Sequence, residues 1–361
     1  MYNMKMRIGI LTFQWASNQN FGASLQSYAC RKLLNKILKT ENIKIIDFNP
    51  TNLNLKGRLL TFFTTRNFRE YNNKFLNLTE KIKDIKEFNK LNNKFDIFVV
   101  GSDQVWRPIW FEKKSLHYFF DFVNDNKKKI AYAASFGVDY WEGTPELTEE
   151  IKPLIKRFDH ISVREESGID ICKNTFGIDN VVCVLDPTLM ISREDYQLIL
   201  DDWQDKSHLK KKYIAHMLLD DTAELKRESQ NIADYLKANI NYIKGKSFKI
   251  LGRDITFYNK VSQWLTYLKD AEFIITDSFH CTVFSLIFHK KFVVVANKAR
   301  GVARLETLLN RVGLQDRFFT DIKDVVKSKI LDKEIDYNEV DKKLEVHRKY
   351  SMDFLKKALE D

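Results

Sequence analysis

The chain has 361 residues, 44% hydrophobic and 30% charged, with 12 glycines and 5 prolines; this is a globular composition of about two domains' length, which excludes a disordered, collagen-like or linker-dominated protein. The formal net charge of +10 favours anionic partners in general, but the excess is spread along the chain without a helix-turn-helix, zinc-finger or base-stacking signature, so no nucleic-acid partner is expected. No apolar run approaches the ~20 residues of a membrane-spanning helix, and the run from Ile8 to Phe13 is too short for a signal peptide, so a cytoplasmic location is expected.

In chain order, residues 5–13 (KMRIGILTF) read as a buried parallel strand. A polar loop, 14–21, and a helix over about 23–39 follow. Further apolar runs at 43–48, 95–100, 130–135, 159–163 and 181–185 alternate with helical stretches such as 147–157 and 165–176. Strand and helix in alternation predict a doubly wound α/β sheet. The insert 51–91 is polar, aromatic and rich in Asn and Lys, and reads as an excursion with one or two helices. The pattern then restarts: a strand at 211–219, a helix at 223–238, strands at 273–276, 292–295 and 317–319, with helices at 261–269, 282–288 and 304–312 between them. Apolar residues Val340, Leu344, Tyr350, Phe354, Leu355 and Leu359 fall at helical spacing and predict a long C-terminal amphipathic helix. The expected division is residues 1–191, 209–338 and the helix 339–361.

Cys30, Cys172, Cys183 and Cys281 form no CxxC pair, and the seven histidines show no HExxH spacing; nothing nominates a metal site. Dinucleotide and phosphate-loop fingerprints are absent, as is a nucleophile elbow. Polar residues instead gather after strands, where doubly wound sheets bind ligands. Asn20, Gly22 and Gln26 lie at the start of the first helix, where free backbone N–H groups favour an anion; a plain N-cap and turn is the alternative. Ser102, Asp103 and Gln104 follow the run 95–100, as a polar lining or a simple turn. Arg164 ends another strand; it either grips a phosphate or carboxylate at two points or forms a structural ion pair. Asp186 reads as a turn cap. His280, in TDSFH after the strand 273–276, is the best-placed general acid or base in the chain, with Asp277 and Ser278 to orient it. Arg300, Gly301 and Arg304 open a helix; they either suit an anion or are solvated helix-start charge.

These segments, in this order, resemble the polysaccharide pyruvyl transferase family: IGI at 8–10 with NFGASLQ at 20–26, GSDQVW at 101–106, AASFG at 133–137, SVRE at 162–165, LDPT at 185–188, TDSFH at 276–280 and RGVAR at 300–304. The resemblance covers about residues 7–314. It implies two Rossmann-like domains with an interdomain cleft, similar to the GT-B architecture, the first domain on the acceptor side and the second on the donor side. It also implies transfer of the pyruvyl group of phosphoenolpyruvate to two hydroxyls of a sugar in a surface or capsular polysaccharide precursor. Phosphoenolpyruvate is then the donor substrate and no cofactor is expected. His280 falls on the family's catalytic histidine and Arg164 on its strand-end arginine. Some branches carry an arginine two residues before the histidine; Ser278 stands there here, with Arg300 or Arg304 as the replacement. The implied acceptors include lipid-linked saccharides, and the charge of +10 adds an expected reversible contact with anionic membrane through Lys56, Arg58, Arg66 and Arg69 beside Phe62, Phe63 and Phe68; the alternative is that these aromatics cover the domain core. The competing readings are a nucleotide-sugar glycosyltransferase on the same fold and a non-catalytic saccharide-binding protein.

Overall fold

The computed structural model describes residues 6–51, 61–205, 212–250 and 253–361. The chain divides into two compact units: Met1–Thr61, Arg69–Ile191 and Val346–Asp361 make the first, Phe62–Phe68 and Ser192–Glu345 the second.

The first unit is built on a six-stranded sheet, β2-β1-β3-β4-β5-β6, whose neighbouring strands all run parallel. Its strands are β1 (Ile8–Leu11), β2 (Ile43–Ile45), β3 (Ile97–Val100), β4 (Lys128–Ala134), β5 (His160–Val163) and β6 (Val181–Cys183). IGIL and IFVV, the sequences of β1 and β3, are buried at every position, as strands covered by helices on both faces require. Gly9 is needed in β1 because the Phe95 ring lies over it: a Cβ there would stand 2.7 Å from Cδ2 of that ring. Trp106 and Phe119 stack at 5.2 Å, and Phe120 and Phe158 at 5.2 Å, as part of an aromatic core.

In β4 the register shifts between Ala131 and Ala134, and Ala133 takes a positive φ of 52°. The Ser162 hydroxyl supports this irregularity, accepting from Ala133 N at 3.1 Å and donating to Ala131 O at 2.9 Å. Bulges re-aim the residues that follow them, here Ser135, Phe136 and Gly137.

The second unit has a five-stranded parallel sheet, β13-β12-β11-β7-β8, and a separate antiparallel pair, β9 and β10. The strands are β7 (Tyr213–Met217), β8 (Asn239–Tyr242), β9 (Gly245–Ile250), β10 (Arg253–Tyr258), β11 (Phe273–Thr276), β12 (Lys291–Val295) and β13 (Phe318–Phe319). The doubly wound plan expected for each half is present. β8, β9 and β10 are additions to it. β8 reads NINY and is half exposed, so it lacks the apolar run that marks an inner strand. One helix starts earlier than its apolar pattern suggests, at Phe279 rather than Thr282. The insert carries the helices Arg66–Phe75 and Ile85–Lys90.

The C-terminal helix runs Tyr337–Glu360. In the first unit its Leu355, Ala358 and Leu359 are buried. Ser351 Oγ accepts from Leu185 N at 3.0 Å, and Arg348 donates to Leu189 O at 2.8 Å. Both contacts fall beside β6. Tyr350 instead faces solvent. All four cysteines are free and buried. Among the described residues no helix is long and apolar enough to cross a membrane.

Because Leu355 is sealed by this packing, Leu355→Ala is expected to cost about 2–5 kcal/mol from lost transfer energy and the cavity left behind. Urea denaturation of the two proteins measures it; Val346→Ala, at a position 68% exposed on the same helix, is the control expected to change little.

Candidate functional site

The carboxyl ends of β1, β3, β4, β5 and β6 carry most of the polar residues singled out in the first half of the chain. Thr12, after β1, donates to Ser102 O at 2.7 Å and accepts from Gln26 Nε2 at 2.7 Å. Ser102, after β3, donates to Asp186 Oδ2 at 2.7 Å. Arg164, after β5, donates to the same oxygen at 2.9 Å and lies 3.6 Å from Asp103 Oδ1. The other oxygen of Asp186 accepts from the N–H and hydroxyl of Thr188 at 2.9 and 2.5 Å. The Arg164 and Asp186 side chains are 1% and 0% exposed. A guanidinium keeps its proton in proteins, so burial obliges it to find a carboxylate.

Next to it, Glu165 Oε1 accepts from Ser135 Oγ at 3.0 Å, Phe136 N at 2.7 Å and Gly137 N at 3.2 Å, fastening the loop that the β4 irregularity re-aims. Gly137 has φ +80°, and a Cβ would meet Arg107 and Gln104 at 2.9 Å. Arg107 pairs with Glu142 at 2.6 Å, and Gln104 Oε1 accepts from Trp110 Nε1 at 3.1 Å.

On this edge the polar residues turn inward. Gln26, Ser102, Asp103 and Arg164 are buried and tie strand ends to one another, because their fixed charges and amide groups must be satisfied inside the protein. Asn20 is the N-cap, accepting from Ala23 N, and Gly22 is buried in the first turn. Asp186 is both the turn cap it was read as and the counter-charge of Arg164.

The second unit's sheet edge is more open. Thr276 donates to Met217 O at 2.9 Å and accepts from Ser278 N at 3.0 Å, closing the turn after β11. Asp277 accepts from Leu219 N at 2.8 Å and from Asn297 Nδ2 at 2.8 Å. Asn297 also donates to Asp220 at 3.0 Å. Arg300 grips Asp220 at two points, 2.9 and 2.8 Å, and Arg304 donates to Arg300 O at 2.9 Å. Lys244 Nζ donates to Leu219 O at 2.9 Å. Gly301, with φ 79°, turns the chain between the two arginines. Arg300 and Asp220 remain 40% and 48% exposed.

The charges respond to this arrangement. The Arg300 hydrogen bonds, helped by Asn297, hold the Asp220 carboxyl at about 2. Burial pushes Asp277 up, against the bond from Asn297, and burial pulls the Lys244 ammonium down. His280 is buried in the first turn of the Phe279–Ile287 helix, one turn deeper into helical structure than the sequence pattern places it. It stays at the carboxyl edge of β11.

Of the predicted residues, Asp277, Ser278, His280, Arg300, Gly301 and Arg304 belong to this second edge. The sequence reading missed Asp220, Lys244 and Asn297. Asp220 and Asn297 follow β7 and β12, so the strand-end rule that found Asp277 reaches them as well; Lys244 follows β8, a strand without an apolar signature. Among the described residues no group of three or more His, Cys, Asp or Glu is placed to hold a metal. An open cavity of about 430 Å³ lined by Arg7, Glu41, Lys44 and Glu80 lies at the opposite, amino edge of β1 and β2, away from the edge at which such sheets bind ligands.

The polysaccharide pyruvyl transferase family pattern matches residues 20–299. The chain belongs to that family. The match takes in Ser102, Arg164, Asp186, Asp220, Asp277, His280 and Asn297, and it ends just before Arg300. None of the curated proteins compared matches this pyruvyl transferase family member. In solved structures, the S. aureus MnaA–UDP co-structure is similar at 14% identity and a TM-score of 0.52, covering 93% of this chain and 90% of that one. UDP-GlcNAc 2-epimerase from Methanocaldococcus jannaschii is similar at 15% identity and a TM-score of 0.51, covering 91% and 93%. Likeness at this identity speaks to fold: two Rossmann-like domains in one chain, the GT-B plan.

Two outcomes test these networks. Asp186→Asn removes the main counter-charge of a sealed guanidinium and is expected to destabilise the protein by about 3 kcal/mol or more, read by denaturant unfolding; Asp103→Asn, at the longer distance, costs less. The Asp220 carboxyl, followed by carbon NMR, is expected to titrate at about 2 and to return toward the ordinary carboxylate range in Arg300→Gln. A lowered acid stabilises the fold above its unfolded value, so this pair's contribution is kept at neutral pH and lost as pH falls through about 2.

Proposed function

We propose that the protein transfers the pyruvyl group of phosphoenolpyruvate onto two hydroxyls of one sugar of a polysaccharide precursor, forming a cyclic ketal and releasing phosphate. The observation that carries this reading is the second unit's sheet edge, where His280 shares the strand ends with three cations, Lys244, Arg300 and Arg304, on a chain of the pyruvyl transferase family.

The chemistry asks for such groups. Phosphoenolpyruvate presents a phosphate and a carboxylate close together, and cations with backbone N–H groups hold both. Protonation of its methylene carbon makes the neighbouring carbon electrophilic. One sugar hydroxyl adds there, phosphate leaves, and the second hydroxyl closes the ring; the two hydroxyl protons end on the new methyl group and on phosphate. His280 is assigned the proton transfers. Arg300 is assigned the donor carboxylate or phosphate, with Asp220 holding its guanidinium in the meantime. Arg164 is assigned a positioning role, through Asp186 and Ser102, rather than direct contact with substrate. No cofactor is needed, since the cations offset the donor's charge.

Phosphate release from phosphoenolpyruvate, across acceptors containing galactose, mannose or N-acetylmannosamine, tests the reading. Release that depends on one acceptor supports it; consumption of a UDP-sugar in its place establishes the glycosyltransferase alternative. His280→Ala is expected to lower turnover by ~10²-fold or more with folding intact, and Arg300→Gln to raise the KM for phosphoenolpyruvate.

A further inference from the structure

The hairpin β9–β10 is not part of the five-stranded sheet. Its register pairs Phe248 with Ile255 and Phe257 with Lys246, so strand alternation puts these four side chains on one face. The Phe248 and Phe257 rings meet at 5.9 Å. On the other face Ser247 and Thr256 share a hydroxyl hydrogen bond at 2.9 Å. The segment Phe62–Phe68 belongs to the same unit. It is fastened to the end of β10, with Asn67 Nδ2 donating to Tyr258 O at 2.7 Å and Phe68 meeting the Tyr258 ring at 5.9 Å. Phe68 is buried, while Phe62 and Phe63 stand edge to face at 5.7 Å. The four phenylalanines 62, 63, 248 and 257 are between 40% and 62% exposed.

Charge on these two segments is predominantly positive. Residues 61–69 carry two basic residues and no acid; residues 242–260 carry five basic residues and one acid, Asp254. Lys246 and Lys249 are exposed, and Lys249 lies on the hairpin's other face. Large exposed apolar patches rimmed by polar residues mark partner or membrane surfaces. We propose that this part of the second unit is a contact surface for an anionic lipid bilayer, with phenylalanines entering the interface and the lysines meeting acidic headgroups. Apolar side chains rimmed by Lys and Arg are what such an interface selects, and lysine stems extend to keep their charge at headgroup level. Lysine along an exposed strand also opposes pairing with a second copy. The surface expected from the sequence is thereby moved: Lys56 and Arg58 lie outside the described residues, Phe68 covers the core, and the hairpin supplies what the insert alone does not. The assignment is independent of the catalytic reading.

Co-sedimentation of the full chain with phosphatidylcholine vesicles, with and without phosphatidylglycerol, at low and high salt, tests it. Binding is expected only with phosphatidylglycerol and is expected to fall with salt, since screening at physiological ionic strength acts within about 8 Å. Each basic residue near the leaflet strengthens binding about fivefold, so Lys246→Gln, on the phenylalanine face, is expected to weaken it about fivefold, whereas Lys249→Gln, on the other face, is expected to change it less. Phe62→Ser/Phe63→Ser and Phe248→Ser/Phe257→Ser are each expected to weaken it about tenfold or more. Circular dichroism and thermal melting of these variants are expected to match the parent. Absence of binding to phosphatidylglycerol vesicles at low salt overturns the proposal, as does binding indifferent to both phenylalanine pairs. Sedimentation as a dimer that Phe248→Ser/Phe257→Ser converts to monomer assigns the face to a second copy and overturns it too.

Discussion

A positive charge that cannot be shed, sealed beneath the carboxyl edge of a parallel sheet, governs the first unit. Arg164 leaves β5 directly into the interior, and what surrounds it follows from that. Asp186 must be ionised and must point inward, so the chain after β6 turns on Thr188 to aim it. Ser102 must end β3 at the height where its hydroxyl reaches the same oxygen. Asp103 adopts a φ of 81° with its carboxylate toward the guanidinium. One ion pair thus fixes the relative heights of three strand ends, β3, β5 and β6. A buried pair of this kind is seldom a large net gain in stability, but removing either partner is costly, and that asymmetry keeps the geometry single-valued.

The second unit uses the same residue types under the opposite condition. Arg300 and Asp220 meet in two hydrogen bonds at the sheet edge with solvent access, and such pairs contribute little to stability. A weak, exposed pair leaves its arginine exchangeable between partners, whereas Arg164 is committed. Asn297 links Asp220 to Asp277, so the two carboxylates share one amide donor, and the more buried Asp277 is the one whose acidity is reduced. The two arginines share a position after a strand and differ in burial: one is locked between strand ends, the other stays open to solvent.

Much of the fold was legible because its inner strands are continuous apolar runs: IGIL, IFVV, FIIT and KFVVV leave little else for those residues to be. β8 and the hairpin were not, since NINY and GKSFKI bury too little to show a period. The helix holding His280 begins earlier than its hydrophobic pattern: Ser278 O accepts from Thr282 N at 3.0 Å, and Phe279 and Cys281 of its first turn are buried. Strand-end position places His280, Asp277 and Arg300 at the sheet edge where they lie, but it does not give their depth. Sequence does not distinguish an arginine that ends a strand facing solvent from one that ends it facing a carboxylate beyond the next strand; only the meeting of residues 102, 164 and 186, distant in sequence, decides that.

The burial of every cysteine has a practical side. Cys30 sits inside the first helix and Cys281 inside the helix that carries His280; burial pushes both thiols up to about 12, and Cys172 is raised for the same reason. The thiolate is the reactive form, so the folded chain offers little to alkylating or oxidising agents. A single cysteine introduced on an exposed helical position becomes a selective handle for a spin label or fluorophore, with the native thiols left in place.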